Sequence, residues 1–172
     1  MSRKHSLSEL NDMDATSFVQ LLGGVFEHSP WVAQQVVNQR PFATLVQLHA
    51  AMVSVVEGAG TPAQLRLIRA HPELAGKAAL RGELTAESTR EQSGAGLDQC
   101  SPEEFAALQG RNTEYKARFG FPFIVAVRGH TRQSVIALMG QRLANSAEIE
   151  SKECLQQIYR IGLLRLQDML VS

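Results

Sequence analysis

Cysteine is scarce in this chain. Only Cys100 and Cys154 occur among 172 residues, and they form neither a disulfide framework nor a paired metal motif. They read as free thiols in a reducing cytosol. Charge of one sign is also missing, since 17 Lys and Arg stand against 17 Asp and Glu. Phosphate backbones and anionic bilayers are bound mainly through an excess of Lys and Arg, so no nucleic acid and no membrane is expected as a partner. Long apolar runs are absent too. The longest stretch without a formal charge, Pro41 to Val56, is sixteen residues broken by Gln47 and His49. A membrane span needs about 20 mostly apolar residues. No apolar run follows the basic start Met1-Ser2-Arg3-Lys4-His5, so no secretory signal is expected. There is no His-Glu-x-x-His and no Asp-rich calcium loop, and Gly94-Ala95-Gly96 follows a helix rather than a strand. No metal centre and no nucleotide-binding loop is therefore expected.

What is present is a core and a helical pattern. Hydrophobic residues make up 44% of the chain, enough for a folded domain, and the length fits a single domain over 1–172. Leu155, Ile158, Tyr159, Gly162, Leu166, Met169 and Leu170 recur at helical spacing, with Ser146 as N-cap and Glu148 and Glu150 in the first turn. Ser101-Pro102-Glu103-Glu104 combines a capping box with proline at the first helical position, and that helix should run to Phe119 and stop at Gly120. Thr61-Pro62 opens another helix that ends near Ala70, because the residue before Pro72 avoids helical geometry. Further helices are expected over 14–26, 30–37, 44–57, 86–94 and 131–144. The fold class is all-α, a helical bundle of about seven to nine helices. One piece departs from it. Phe121-Pro122-Phe123-Ile124-Val125-Ala126-Val127 is aromatic and β-branched between Gly120 and Gly129, and reads as a buried extended segment with no partner strand. Its backbone groups need partners, in the core or on a ligand.

Three places could carry chemistry. His71, held at a helix exit by Pro72, is rigidly placed and exchanges protons near neutrality. The plainer reading is an ordinary loop histidine. Ser88, Glu91 and Gln92 stand at i, i+3 and i+4, so one helix face presents a hydroxyl, a carboxylate and an amide. Such a face could bind a polar heterocycle and orient an imidazole, or simply be solvated. Arg165 lies about 80° from the centre of the C-terminal stripe, at roughly 100° per residue. It could hold a carboxylate or urea group in bidentate fashion, or snorkel, or pair with an acid.

Taken in order, these pieces resemble one family. His-Pro-Glu-Leu-Ala-Gly-Lys stands at 71–77, followed by Ser88-x-x-Glu91-Gln92-x-x-Ala95-Gly96-Leu97. Next come Asn112-x-x-Tyr115-x-x-x-Phe119-Gly120-Phe121-Pro122-Phe123-Ile124 and Leu163-Leu164-Arg165-Leu166. From about Leu10 to Leu170 the chain resembles the 2-oxo-4-hydroxy-4-carboxy-5-ureidoimidazoline (OHCU) decarboxylases of urate degradation. The resemblance implies an all-helical, cofactor-free homodimer that converts OHCU to (S)-allantoin and carbon dioxide. It implies His71 and Glu91 as catalytic residues. Pro72, Ser88, Gln92 and Arg165 become substrate-binding residues, with backbone contacts from Phe123, Ile124, Val125, Ala126 and Val127. The ending Met169-Leu170-Val171-Ser172 is not the peroxisomal Ser-Lys-Leu type of some eukaryotic members, so a cytoplasmic enzyme is expected. Two rivals stand beside this reading. One is a non-catalytic helical interaction domain. The other is a hydrolase acting on 5-hydroxyisourate.

Overall fold

The computed structural model describes residues 2–171, and within them the side chains of all but Lys77 and Ala78. The described residues hold ten α-helices and one 3-10 turn, and nine of the helices run six residues or more. Among them the strand-like pairing is confined to an isolated bridge between His5 and Leu170. The all-α expectation holds. No helix among the described residues is long and apolar enough to cross a membrane.

The chain divides into two compact units, Met1–Ala70 with Ile158–Ser172, and His71–Gln157. In the first, α1 (Leu7–Asp12), α2 (Ala15–Leu22), α3 (Trp31–Val36), α4 (Leu45–Gly58) and α5 (Thr61–Ala70) follow one another. The sequence sets their starts. Asp14 caps α2 through the Ser17 amide, and Thr44 caps α4 through the Gln47 amide. Each such cap contributes about 1 kcal/mol. The helix expected over 14–26 stops at Leu22. At Gly23 a Cβ would stand 2.6 Å from the Val19 carbonyl oxygen, so the chain turns there, and Val25 and Phe26 enter the core outside any helix. Phe18, Phe26, Leu48, Met52 and Leu166 are among that core's buried side chains.

The second unit contains α6 (Lys77–Leu80), α7 (Ala86–Gly94), α8 (Pro102–Phe119) and α9 (Arg132–Arg142). The first part of α10 (Ala147–Met169) also belongs to it. The α8 boundaries are those the sequence implies. Ser101 and Glu104 close a reciprocal capping box, and Gly120 ends the helix in the left-handed region at φ 78°. Residues 121–127 form neither helix nor strand, and all seven are buried. The expected buried segment outside any helix is therefore present.

That segment is anchored by a buried polar network. Arg142 donates from Nε to Glu150 Oε1 at 2.8 Å and from Nη1 to the Ile124 carbonyl at 2.6 Å. Its guanidinium lies 4.3 Å from the Phe123 ring centroid. Tyr115 donates its hydroxyl to Glu150 Oε1 at 2.6 Å, and Asn145 donates to Oε2 at 2.9 Å. The Tyr115 ring meets Phe123 edge-on at 5.4 Å. Glu150, read from sequence as a helix-start acid, is 0% exposed, and Arg142 is 5% exposed. Burial lowers the Arg142 pKa, but Cys154 and Glu150 outweigh it and hold the guanidinium charged. Burial first, and then the neighbouring Cys154 and Glu150, push the Tyr115 hydroxyl far above its ordinary range. The two cysteines are free thiols.

Candidate active site

His71 is the first residue of the second unit and is 7% exposed. Pro72 and Glu73 are half-buried, whereas Leu74, Ala75 and Gly76 are buried. The loop they form is strained. Ala75 has φ 50°, a left-handed conformation that costs an L-residue roughly 1–2 kcal/mol. At Gly76 a Cβ would stand 2.9 Å from the Glu73 Cβ, so a side chain there would displace the loop.

The α7 helix supplies the neighbouring face. Thr85 caps it through the Ser88 amide. Ser88 and Gln92 are buried at 4% and 6% exposure, and Glu91 is half-buried. The solvated-face alternative fails for this helix, because its polar residues at 88 and 92 point inward. Gln92 joins the helix to the histidine loop: Oε1 accepts from the Ala75 amide at 2.9 Å, and Nε2 donates to the Glu73 carbonyl at 3.4 Å. An amide nitrogen carries two hydrogens, so one donor of Gln92 is not committed to Glu73.

Three of the five backbone positions carried over from the family turn out to be engaged inside the protein. The Ile124 carbonyl is held by Arg142, and the Ile124 backbone also bonds Cys154. The Ala126 amide donates to Gln157 Oε1 at 3.0 Å. Ile124 and Ala126 are thus tied to α9 and α10 through Arg142 and Gln157. The Val127 carbonyl closes a turn with the His130 amide at 2.9 Å.

Arg165 belongs to the first unit and is 4% exposed. It pairs with the buried Glu27 at 2.9 Å and donates from the same Nη1 to the Gly24 carbonyl at 3.1 Å. Its sequence position suggested the border of a buried face, and the structure places it inside. Glu27 was not legible as its partner, since 138 positions separate the two in sequence.

A cavity of about 620 Å³ opens beside α7, walled by Ala75, Thr89, Gln92, Leu97, Cys100 and Phe105 among others. His71, Ser88 and Glu91 are not in its walls. It borders the histidine loop through Ala75 and Gln92.

Burying an imidazole, a hydroxyl and a carboxamide in one small unit is costly unless each is used. Such an arrangement suits a site for a small polar molecule better than a docking face. The comparisons agree. The OHCU decarboxylase family model matches residues 11–167. A 2-oxo-4-hydroxy-4-carboxy-5-ureidoimidazoline decarboxylase of Haloferax volcanii is 38% identical over 97% of both chains. A uric acid degradation bifunctional protein of Bacillus sp. strain TB-90 is 40% identical over 95% of this chain but only 32% of its own length. The chain thus spans about a third of that relative. Among solved structures, (S)-allantoin synthase superposes with TM-score 0.78 at 28% identity, covering 96% of this chain and 54% of the other. The chain belongs to the OHCU decarboxylase family.

Proposed function

We propose that the chain decarboxylates OHCU to (S)-allantoin and carbon dioxide without a cofactor. Family membership supports the reaction. The observation that carries the site is the burial of His71, Ser88 and Gln92 within one unit, with Gln92 tying the histidine loop to α7.

The chemistry follows from the substrate. Loss of carbon dioxide leaves an electron pair on the ring carbon that bore it, and the adjacent C=N accepts that pair. The substrate is its own electron sink. The protein must hold the carboxylate perpendicular to the ring, manage the 4-hydroxyl proton, and protonate the ureido-bearing carbon from one face. His71 exchanges the hydroxyl proton, and Glu91 orients the imidazole and stabilises its cationic form. A positioned acid–base group contributes about 10²–10⁴-fold. Pro72 fixes the ring's approach. Ser88 and the second Nε2 hydrogen of Gln92 bind the heterocycle and its polar substituents, and the family resemblance assigns Arg165 a substrate-binding role as well. From the buried segment, Phe123, Val125 and the Val127 amide supply the backbone contacts to the ligand, while Ile124 and Ala126 anchor the segment through Arg142 and Gln157. The working form is a cytoplasmic homodimer of a single catalytic domain.

The test is stereochemical. OHCU is generated with urate oxidase and hydroxyisourate hydrolase, this protein is added, and circular dichroism follows the product. Faster decay with accumulation of one allantoin enantiomer is expected. Unchanged decay and a racemic product refute the proposal. Turnover of 5-hydroxyisourate without release of carbon dioxide favours the hydrolase instead.

A further inference from the structure

The strained loop has two supports besides Gln92, and both come from α8. Gln109 donates from Nε2 to the Ala75 carbonyl at 2.6 Å, and Asn112 donates from Nδ2 to the Leu74 carbonyl at 2.9 Å. They stand at i and i+3 on α8 and so share one face. Together with Gln92, three side-chain carboxamides engage the Glu73, Leu74 and Ala75 carbonyls and the Ala75 amide. No helix or strand orders these three residues. Both backbone groups of Ala75, the residue at φ 50°, are held by side chains. A strained non-glycine conformation persists only where its surroundings over-determine it. Asn112 is 3% exposed, and among the described residues its Oδ1 accepts no hydrogen bond, so the side chain's hydrogen bonding is directed to the loop.

We propose that Gln109 and Asn112 are positioning residues. They lock the loop after His71 into one conformation and so fix where the imidazole stands, without touching substrate. The proposal rests on the decarboxylase reading of the site. It predicts that loosening the loop lowers the rate of chemistry and leaves substrate affinity largely intact, because a displacement of about 1 Å can cost ~10²-fold in rate.

The experiment uses the full-length chain with Gln109→Ala and Gln109→Glu, Gln109 being only half-buried. Steady-state kcat and KM are measured on enzymatically generated OHCU, and amide hydrogen exchange is followed in the peptide spanning 71–76. For Gln109→Ala, kcat should fall by roughly 10–100-fold with KM within about threefold, and exchange in that peptide should accelerate at least about tenfold. Glutamate keeps the shape, but its ionised form cannot donate to the Ala75 carbonyl, whereas its protonated form can. The Gln109→Glu to Gln109→Ala rate ratio should therefore rise as pH is lowered from 7.5 to 5.5, a signature that general destabilisation does not produce. Asn112→Asp is the second variant, with the same expected split between kcat and KM. Accelerated exchange with wild-type kcat overturns the proposal, as does unchanged exchange or a pH-independent ratio. A wild-type chain that leaves OHCU decay unaltered refutes the decarboxylase reading instead. An active wild type with an indifferent Gln109 refutes only the positioning role.

Discussion

Replacing Arg142 by methionine isolates what the buried ion pair contributes. The arginine meets Glu150 at 2.8 Å, the Ile124 carbonyl at 2.6 Å and the face of Phe123 at 4.3 Å. Methionine keeps much of the apolar stem and removes the charge. Glu150, 0% exposed, then loses its cationic partner and keeps, among the described residues, Tyr115 and Asn145 to bond it. Stranding one member of such a pair costs about 3–5 kcal/mol. For a chain of this size each kcal/mol moves Tm by about 2–4 °C, so Arg142→Met should melt roughly 6–20 °C lower. Urea denaturation followed by far-UV circular dichroism should show the midpoint fall. The control is Arg142→Met combined with Glu150→Leu, which removes the stranded charge as well. The double variant should recover at least about half of the loss, since an ion pair replaced by apolar residues is often neutral. A double variant no more stable than the single one would refute the reasoning. The deficit would then come from the freed Ile124 carbonyl and lost packing, not from an uncompensated charge.

Other expectations follow from the same geometry. His71→Ala and Glu91→Ala should each lower kcat by about 10²–10⁴-fold with an unchanged far-UV spectrum, and wild-type turnover in either variant would remove that residue from the mechanism. Gly120→Ala should cost about 1–2 kcal/mol in urea denaturation, because φ 78° is left-handed; a midpoint within error of wild type would contradict this. Alkaline pH should destabilise the fold. Burial raises the Cys154 thiol above its ordinary 9.0, and burial together with Glu57 raises Tyr159 to about 12. Groups raised on folding favour the neutral form, so their contribution is complete below the unfolded values and is lost as pH climbs toward the folded ones. The urea midpoint should hold up to pH 9.0, the ordinary thiol value, and fall above it; a midpoint flat to about pH 11 would sink this account.

Local chemistry made much of the fold readable in advance. The Ser101 capping box and Gly120 marked both ends of α8, and Thr61-Pro62 with His71-Pro72 framed α5. Ser6-x-x-Glu9 carries the same signature, and α1 follows it, so that short helix was readable from the same rule although it was not among the expected helices. Long-range pairings left no such trace. Nothing in the sequence of Glu150 distinguishes a helix-start acid from one buried against Arg142 and Tyr115. The candidate site shows the same division. Ser88 and Gln92 share a face by helical spacing, but whether that face met solvent or core depended on what packs over it. The carboxamides of Gln109 and Asn112 gave no local signal, because their targets are backbone carbonyls more than thirty positions away.

The bridge between His5 and Leu170 has a practical consequence. The His5 amide bonds the Met169 carbonyl, and the Val171 amide bonds the His5 carbonyl, each at 2.9 Å. Residue 5 and residues 169–171 are thus stitched together in one place. A short tether joining these two segments would yield a circularly permuted chain cut open at an exposed turn.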